Sequence, residues 1–150
     1  MLRRLTMRAH SRAELAQALA KRNVPGEVAE RVLNRMEQVG LVDDDAFAAS
    51  WVASRQQRRH LSRRALRAEL GRKGLDREVI GEAVNEVDDE DEYTAAVSLA
   101  RSKLRSYARL EPHVRRRRMA GVLARRGFDA SITARVLEEV LGEATTDPEG

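Results

Sequence analysis

An internal repeat is the feature of this 150-residue sequence that most constrains its fold. Apolar residues of one segment recur at equivalent positions 51 residues later, and again after a further 53 residues. The three equivalent sets are Leu15, Leu19, Val24, Val28 and Leu33; Leu66, Leu70, Leu75, Val79 and Val84; and Met119, Leu123, Phe128, Ile132 and Leu137. Their spacing places one inward-facing apolar stripe on each of two successive helices in every copy.

The turn between these two helices also recurs. Asn23, Gly74 and Gly127 share one equivalent position, and Gly or Asn is the residue that ends a helix in a left-handed conformation. We therefore expect positive φ at Gly74 and Gly127. Helix-start residues follow each turn, namely Pro25, Asp76 and Asp129.

A further helical stretch precedes each pair of helices, so each unit is predicted to contain three helices. These stretches cover about 2–9, 44–59 and 91–108. The predicted domains are repeat 1 at 1–42, repeat 2 at 43–90, repeat 3 at 91–142, and a disordered tail at 143–150. One unit cannot bury its stripe alone, so the sequence predicts an all-α fold of three tandem three-helix repeats in an elongated, curved array.

Composition agrees with a helical protein of a reducing compartment. Aromatic residues make up only 3% of the chain, so its core must be aliphatic, and cysteine is absent. No apolar stretch has the length of a signal peptide or a membrane span. We expect a cytoplasmic protein that acts as a monomer.

Segments in all three repeats match the pattern of one known family: 8–15, 40–48, 51–55, 66–74 and 123–129, followed by Ile132, Val136 and Leu137. On these segments the chain resembles the RecX family. The most specific segments are the Asp-Asp-x-x-Phe-Ala sequence from Asp43 and the Leu-x-x-Lys-Gly turn that ends at Gly74. Residues 59–61 depart from the family, because they read Arg-His-Leu where relatives often carry glycine.

The resemblance implies a regulator of DNA repair, recombination and the SOS response. Such a protein docks along the helical groove of the RecA–DNA filament and lowers the ATPase, strand-exchange and co-protease activities of the RecA recombinase. The same resemblance implies that the chain has no catalytic activity and needs no cofactor.

Basic residues concentrate on the second helix of each unit and are the candidate binding residues for the filament or its DNA backbone. They are Arg63, Arg64, Arg67, Arg72, Lys73, Arg115, Arg116, Arg117, Arg118, Arg125 and Arg126. Lys73 and Arg126 are among those expected to reach solvent. Recurrence at equivalent positions would produce a long basic stripe, whereas the alternative is that the charge runs are only solvated faces.

Other kinds of site are weakly supported by the sequence. Asp43, Asp44 and Asp45 are predicted to cap the next helix rather than bind a metal ion. Phe47 and Trp51 are predicted to be core residues. The histidines His10, His60 and His113 fall in different units, and no nucleophile with a base and no phosphate loop is evident, so we predict no metal, cofactor or catalytic site.

Two other classes of function remain open at this point. Helices joined by a tight turn, as in 63–87, resemble a helix-turn-helix and suggest sequence-independent DNA binding. The second helix of that pair carries Glu78, Glu82 and Glu86, which DNA phosphates would repel. A scaffold without nucleic-acid contact is also compatible with the sequence, although it leaves the basic residues unexplained.

Overall fold

The computed structural model describes residues 10–145, with side chains as far as Gly142, and every regular element in that span is an α-helix. The prediction of an all-α chain is confirmed. The helices of this span are α1 (Arg12–Lys21), α2 (Gly26–Gln38), α3 (Asp44–Arg59), α4 (Arg63–Arg72), α5 (Arg77–Asn85), α6 (Asp89–Tyr107), α7 (Pro112–Arg125) and α8 (Ala130–Thr145). The helix predicted over 2–9 lies outside the described residues, as does the chain beyond Thr145.

The recurrent turn has the predicted geometry in all three repeats. The φ angle is +60° at Asn23, +82° at Gly74 and +92° at Gly127. In each copy the residue after this position donates its N–H to a carbonyl five residues earlier, which satisfies an otherwise open end of the helix. The three donor and acceptor pairs are Val24 to Leu19, Leu75 to Leu70, and Phe128 to Leu123.

Polar side chains begin the helices where the sequence predicts. Ser11 accepts a hydrogen bond from the N–H of Glu14 at 3.1 Å, and Asp43 accepts one from the N–H of Ala46 at 3.1 Å. Asp88 and Asp91 form a reciprocal capping box at the start of α6. Asp43 therefore fixes the first turn of α3, and Asp88 with Asp91 fixes the first turn of α6.

The core is aliphatic, as the composition requires. In the third repeat Ala96, Met119 and Val136 from α6, α7 and α8 are fully buried in one cluster. Most residues of the repeated stripe are buried or half-buried. Val28 is the exception, because 38% of it is exposed, so its predicted inward position is wrong. Its equivalents Val79 and Ile132 are only half-buried, which places this position at the edge of the stripe.

The chain forms two compact units whose limits differ from those of the sequence repeats. Of the described residues, one unit contains 10–53 together with Arg67–Glu86, and the other contains Ser54–Leu66 together with 87–145. Helices α3 and α4 each contribute residues to both units. α8 continues to Thr145, past the position at which the disordered tail was predicted to begin.

Candidate partner-binding surface

Seven of the predicted binding residues present their side chains to solvent. They are Arg64, Arg67 and Arg72 on α4, and Arg116, Arg117, Arg118 and Arg125 on α7. None of the seven forms an ion pair with another described residue. Because these guanidinium groups have no internal partner in that part of the chain, their hydrogen-bond donors are available to an external anion.

The spacing of these arginines groups them on helix faces. Arg64 and Arg67 are separated by three residues, so they are neighbours on the surface of α4. Arg118 and Arg125 are seven residues apart, which brings them to the same face of α7 two turns apart. Both helices thus present arginine side chains suited to phosphate or carboxylate.

Arg63 forms hydrogen bonds to carboxylates within the protein. Its backbone N–H donates to Glu92 Oε2 at 2.7 Å, and its guanidinium donates to Asp89 at 2.5 Å and to Glu92 Oε1 at 3.1 Å. The hydrogen bond with Asp89 is the main reason that the pKa of Arg63 is raised. Glu92 is only 6% exposed. The start of α4 is therefore tied to the first turn of α6.

The backbone N–H of Arg12 makes the equivalent contact one repeat earlier, whereas the guanidinium of Arg12 binds carboxylates of its own repeat. Its N–H donates to Asp44 Oδ1 at 2.8 Å, and its guanidinium donates to Glu37 at 2.6 Å and Glu30 at 3.0 Å. We call Arg12 and Arg63 the joint arginines. Each lies at the start of the second helix of its repeat and binds an acidic residue in the first turn of the next repeat.

Removing the carboxylate of Glu92 should destabilise the protein. We expect Glu92→Ala to lower the free energy of unfolding by about 2 kcal/mol, because it leaves the backbone N–H of Arg63 without its acceptor and removes one of the two carboxylates bound by the guanidinium, which keeps Asp89. Glu90→Ala is the matched control, since Glu90 is an exposed residue of the same turn and should change stability by less than about 0.5 kcal/mol. Urea denaturation measures both. Equal losses in the two variants would contradict a specific role for Glu92.

Three other predicted binding residues also have internal contacts. Arg115 donates to the carbonyls of Tyr107, Ala108 and Leu110, which closes the end of α6. Lys73 lies 4.7 Å from the centre of the Trp51 ring, within cation–π range. Lys73 and Arg126, which were expected to reach solvent, are both half-buried, so part of each side chain is covered by the protein.

Arg126 is held against the turn between α3 and α4. Its guanidinium donates to the carbonyl of Arg59, and its own carbonyl accepts a hydrogen bond from the N–H of Ser62 at 3.2 Å. The position of Arg59 beside Arg126 was not predicted from the sequence. The two residues are 67 positions apart, and no local pattern links them.

The residues weighed as metal ligands are dispersed. No group of three or more His, Cys, Asp or Glu side chains in the described part of the chain is placed to hold a metal ion. His10 is buried and contacts Glu14, while His113 is exposed in the first turn of α7. His60 occupies a left-handed conformation with φ of +51°, a region that favours glycine.

Phe47 and Trp51 form an aromatic pair on α3. Phe47 is buried, as predicted, and its ring stacks on that of Trp51 with centroids 6.0 Å apart. Trp51 is half-buried and donates from Nε1 to Glu69.

Among residues 10–145, no helix combines the length and apolar character needed to cross a bilayer.

Family models and curated relatives match almost the whole sequence. Models of the first, second and third three-helix domains of RecX match residues 1–36, 43–84 and 89–137. Regulatory protein RecX of Streptomyces coelicolor is 45% identical over 148 residues, which cover 99% of this chain and 79% of that protein. Regulatory protein RecX of Mycobacterium marinum is 48% identical over 137 residues, covering 91% and 79%.

Solved structures share the fold. The crystal structure of RecX from Lactobacillus salivarius superposes with a TM-score of 0.81 at 19% identity, covering 93% of this chain and 90% of that chain. A second crystal structure, of a regulatory protein RecX, has a TM-score of 0.83 at 24% identity and covers 92% and 69%. The three tandem three-helix domains and the identity to curated relatives lead to one conclusion: the chain belongs to the RecX family.

Proposed function

We propose that this protein binds the RecA recombinase and its nucleoprotein filament, and that it inhibits the ATPase, strand-exchange and co-protease activities of the filament. Membership of a family whose relatives are named regulatory proteins supports a regulatory role. The observation that carries the binding mode is the set of exposed arginines on α4 and α7 that form no ion pair with another described residue. We expect the protein to act in the cytoplasm as a monomer, without catalytic activity of its own.

The chemistry of these arginines suits a nucleoprotein surface. A filament of recombinase on DNA presents phosphates, and guanidinium groups bind phosphate oxygens in a bidentate manner. Contacts of this kind position a protein without reading base sequence. They would allow inhibition at any position along a filament, whatever the DNA sequence.

The direct test is the rate of DNA-dependent ATP hydrolysis by recombinase on single-stranded DNA. We expect this protein to suppress the rate at ratios near or below one molecule per recombinase subunit, and to hydrolyse no ATP alone. Inhibition should weaken as salt is raised, because the proposed contacts are electrostatic. Full ATPase activity at low salt, in the presence of folded protein, would refute the proposal.

Sequence-independent DNA binding through helix-turn-helix repeats is the second candidate function. In that motif α5 would enter the major groove as the second helix of its pair. α5 exposes Glu78 and Glu82, and Glu86 follows directly at its C-cap. Since phosphates repel these carboxylates, the observation favours contact through α4 over insertion of α5.

A further inference from the structure

Two turns that are far apart in the sequence lie against each other in the second compact unit. The N–H of Ser62, after α3, donates to the carbonyl of Arg126, after α7. The guanidinium of Arg126 returns a hydrogen bond to the carbonyl of Arg59. Gly127 is so close that a β-carbon at this residue would lie 2.2 Å from Ser62 Oγ. The relative position of the two turns is therefore fixed by direct backbone contact.

This contact brings together arginines from the ends of two helices. Arg58 and Arg59 end α3, Arg125 ends α7, and all three are exposed. Arg126 is half-buried, and it lies near enough to Arg59 and Arg125 for their charges to act on it. Its pKa is lowered, first by loss of solvent and then by repulsion from Arg59, Arg55 and Arg125. Among the described residues, no carboxylate is a cause of this shift.

The surrounding sequence also lacks acidic residues. Residues 46–68 contain six arginines and no Asp or Glu, and residues 112–128 likewise contain six arginines and no Asp or Glu. Helix C-termini attract positive charge, which accounts for basic residues at the ends of α3 and α7. It does not account for placing the two ends side by side, because like charges at short distance destabilise the fold.

We propose that Arg59, Arg125 and Arg126, here called the turn arginines, form a binding site for the phosphate backbone of single-stranded nucleic acid. This assignment deepens the proposed function, since it identifies the DNA of the filament as a direct contact of the protein. The binding step is non-covalent: the guanidinium N–H groups donate to phosphate oxygens, and the condensed cations of the strand are released.

Phosphate fits this surface better than protein carboxylates do. A nucleic acid strand carries one charge on each nucleotide, so it can neutralise several adjacent guanidinium groups at once. The two acid-free segments contain no lysine, and their cationic side chains are arginines, which match phosphate bidentately. An acidic protein patch also complements a positive surface, and the assays below distinguish the two partners.

The test measures binding of fluorescein-labelled oligothymidylate to the free protein by anisotropy, without recombinase. The variant is Arg59→Glu with Arg125→Glu, which leaves the half-buried Arg126 in place. We expect at least about tenfold weaker binding at low salt. The slope of log binding constant against log salt should fall by about 1.4, because two phosphate contacts are lost.

The control reverses Arg31 and Arg35, two exposed residues of α2, to Glu. It makes the same change in net charge, and we expect its affinity and salt slope to remain close to those of wild type. Equal weakening in both variants would overturn the proposal, since net charge alone would then explain binding. Failure of the wild-type protein to bind the oligonucleotide at low salt would also overturn the proposal.

The recombinase ATPase assay with the same variants separates this inference from the proposed function. If free protein binds DNA through the turn arginines but does not inhibit recombinase, only the proposed function fails. If the protein inhibits recombinase, does not bind the oligonucleotide, and loses inhibition in the Arg59→Glu, Arg125→Glu variant, the turn arginines contact protein. That result refutes the phosphate site.

Discussion

Replacing Gly127 by alanine is expected to lower the free energy of unfolding by about 3 kcal/mol. Two effects add at this residue. Its φ of +92° disfavours any side chain, and the new β-carbon would meet Ser62 Oγ at 2.2 Å and the backbone nitrogen of Ala65 at 3.3 Å. Ser62 has little freedom to retreat, because it is fully buried, caps Ala65 and donates to Arg126.

Two other glycines separate these effects. Gly40 has φ of +78° and open space around the position of a β-carbon, so Gly40→Ala should cost about 1 kcal/mol from conformation alone. Gly71 lies within α4 with open space, so Gly71→Ala should stabilise the protein by up to about 1 kcal/mol. Urea denaturation of the three variants gives the comparison. A Gly127→Ala protein no less stable than Gly40→Ala would show that the turns do not pack as described.

Reversing four exposed arginines should abolish most inhibition of the recombinase. We expect the variant with Glu in place of Arg64, Arg67, Arg116 and Arg117 to need at least about a hundredfold higher concentration for half-maximal inhibition of ATPase. The four residues are exposed and have no ion pairs with described residues, so each change should alter stability by no more than about 0.5 kcal/mol. Inhibition should also depend less steeply on salt than in wild type.

The control variant carries Lys in place of Glu78, Glu82 and Glu86, around α5. A helix-turn-helix protein with these changes should bind DNA more tightly, whereas filament inhibition through α4 and α7 should change little. Circular dichroism and gel filtration establish that both variants are helical and monodisperse. If the Arg-to-Glu variant passes these checks and still inhibits as wild type does, the arginines are only a solvated face.

The helices and turns were predictable because their determinants are local. A left-handed Asn or Gly between two apolar stripes specifies the same turn in three places, and the structure reproduces all three. Asp43 and Asp88 cap their helices from within the same turn. The exposure of Val28 was not predictable from its spacing, because burial at the edge of a stripe depends on which neighbouring element covers it.

The sequence predicts which helices carry the basic binding residues, but not which of these residues are free to contact a partner. The sequence indicates which helices are basic, but it does not distinguish Arg64, which faces solvent, from Arg63, which binds carboxylates 26 and 29 residues away. Arg126 differs from Arg125 in the same way, since its acceptor is 67 residues distant. Assigning an arginine to the fold or to a partner requires long-range contacts that no local pattern contains.

The joint arginines make dissection of the protein at its repeat boundaries unsafe. A fragment ending near residue 90 would keep Arg63 and Ser62 but lose Glu92 and the α7–α8 turn that they contact. Transplanting repeat 2 into another protein would likewise leave the backbone N–H groups of Ser62 and Arg63 without their acceptors. The contacts that hold the start of α4 cross the boundary between repeats 2 and 3, so we expect that one repeat does not fold by itself. Gain or loss of a single repeat in evolution would then require new partners for Ser62 and Arg63 at the same time.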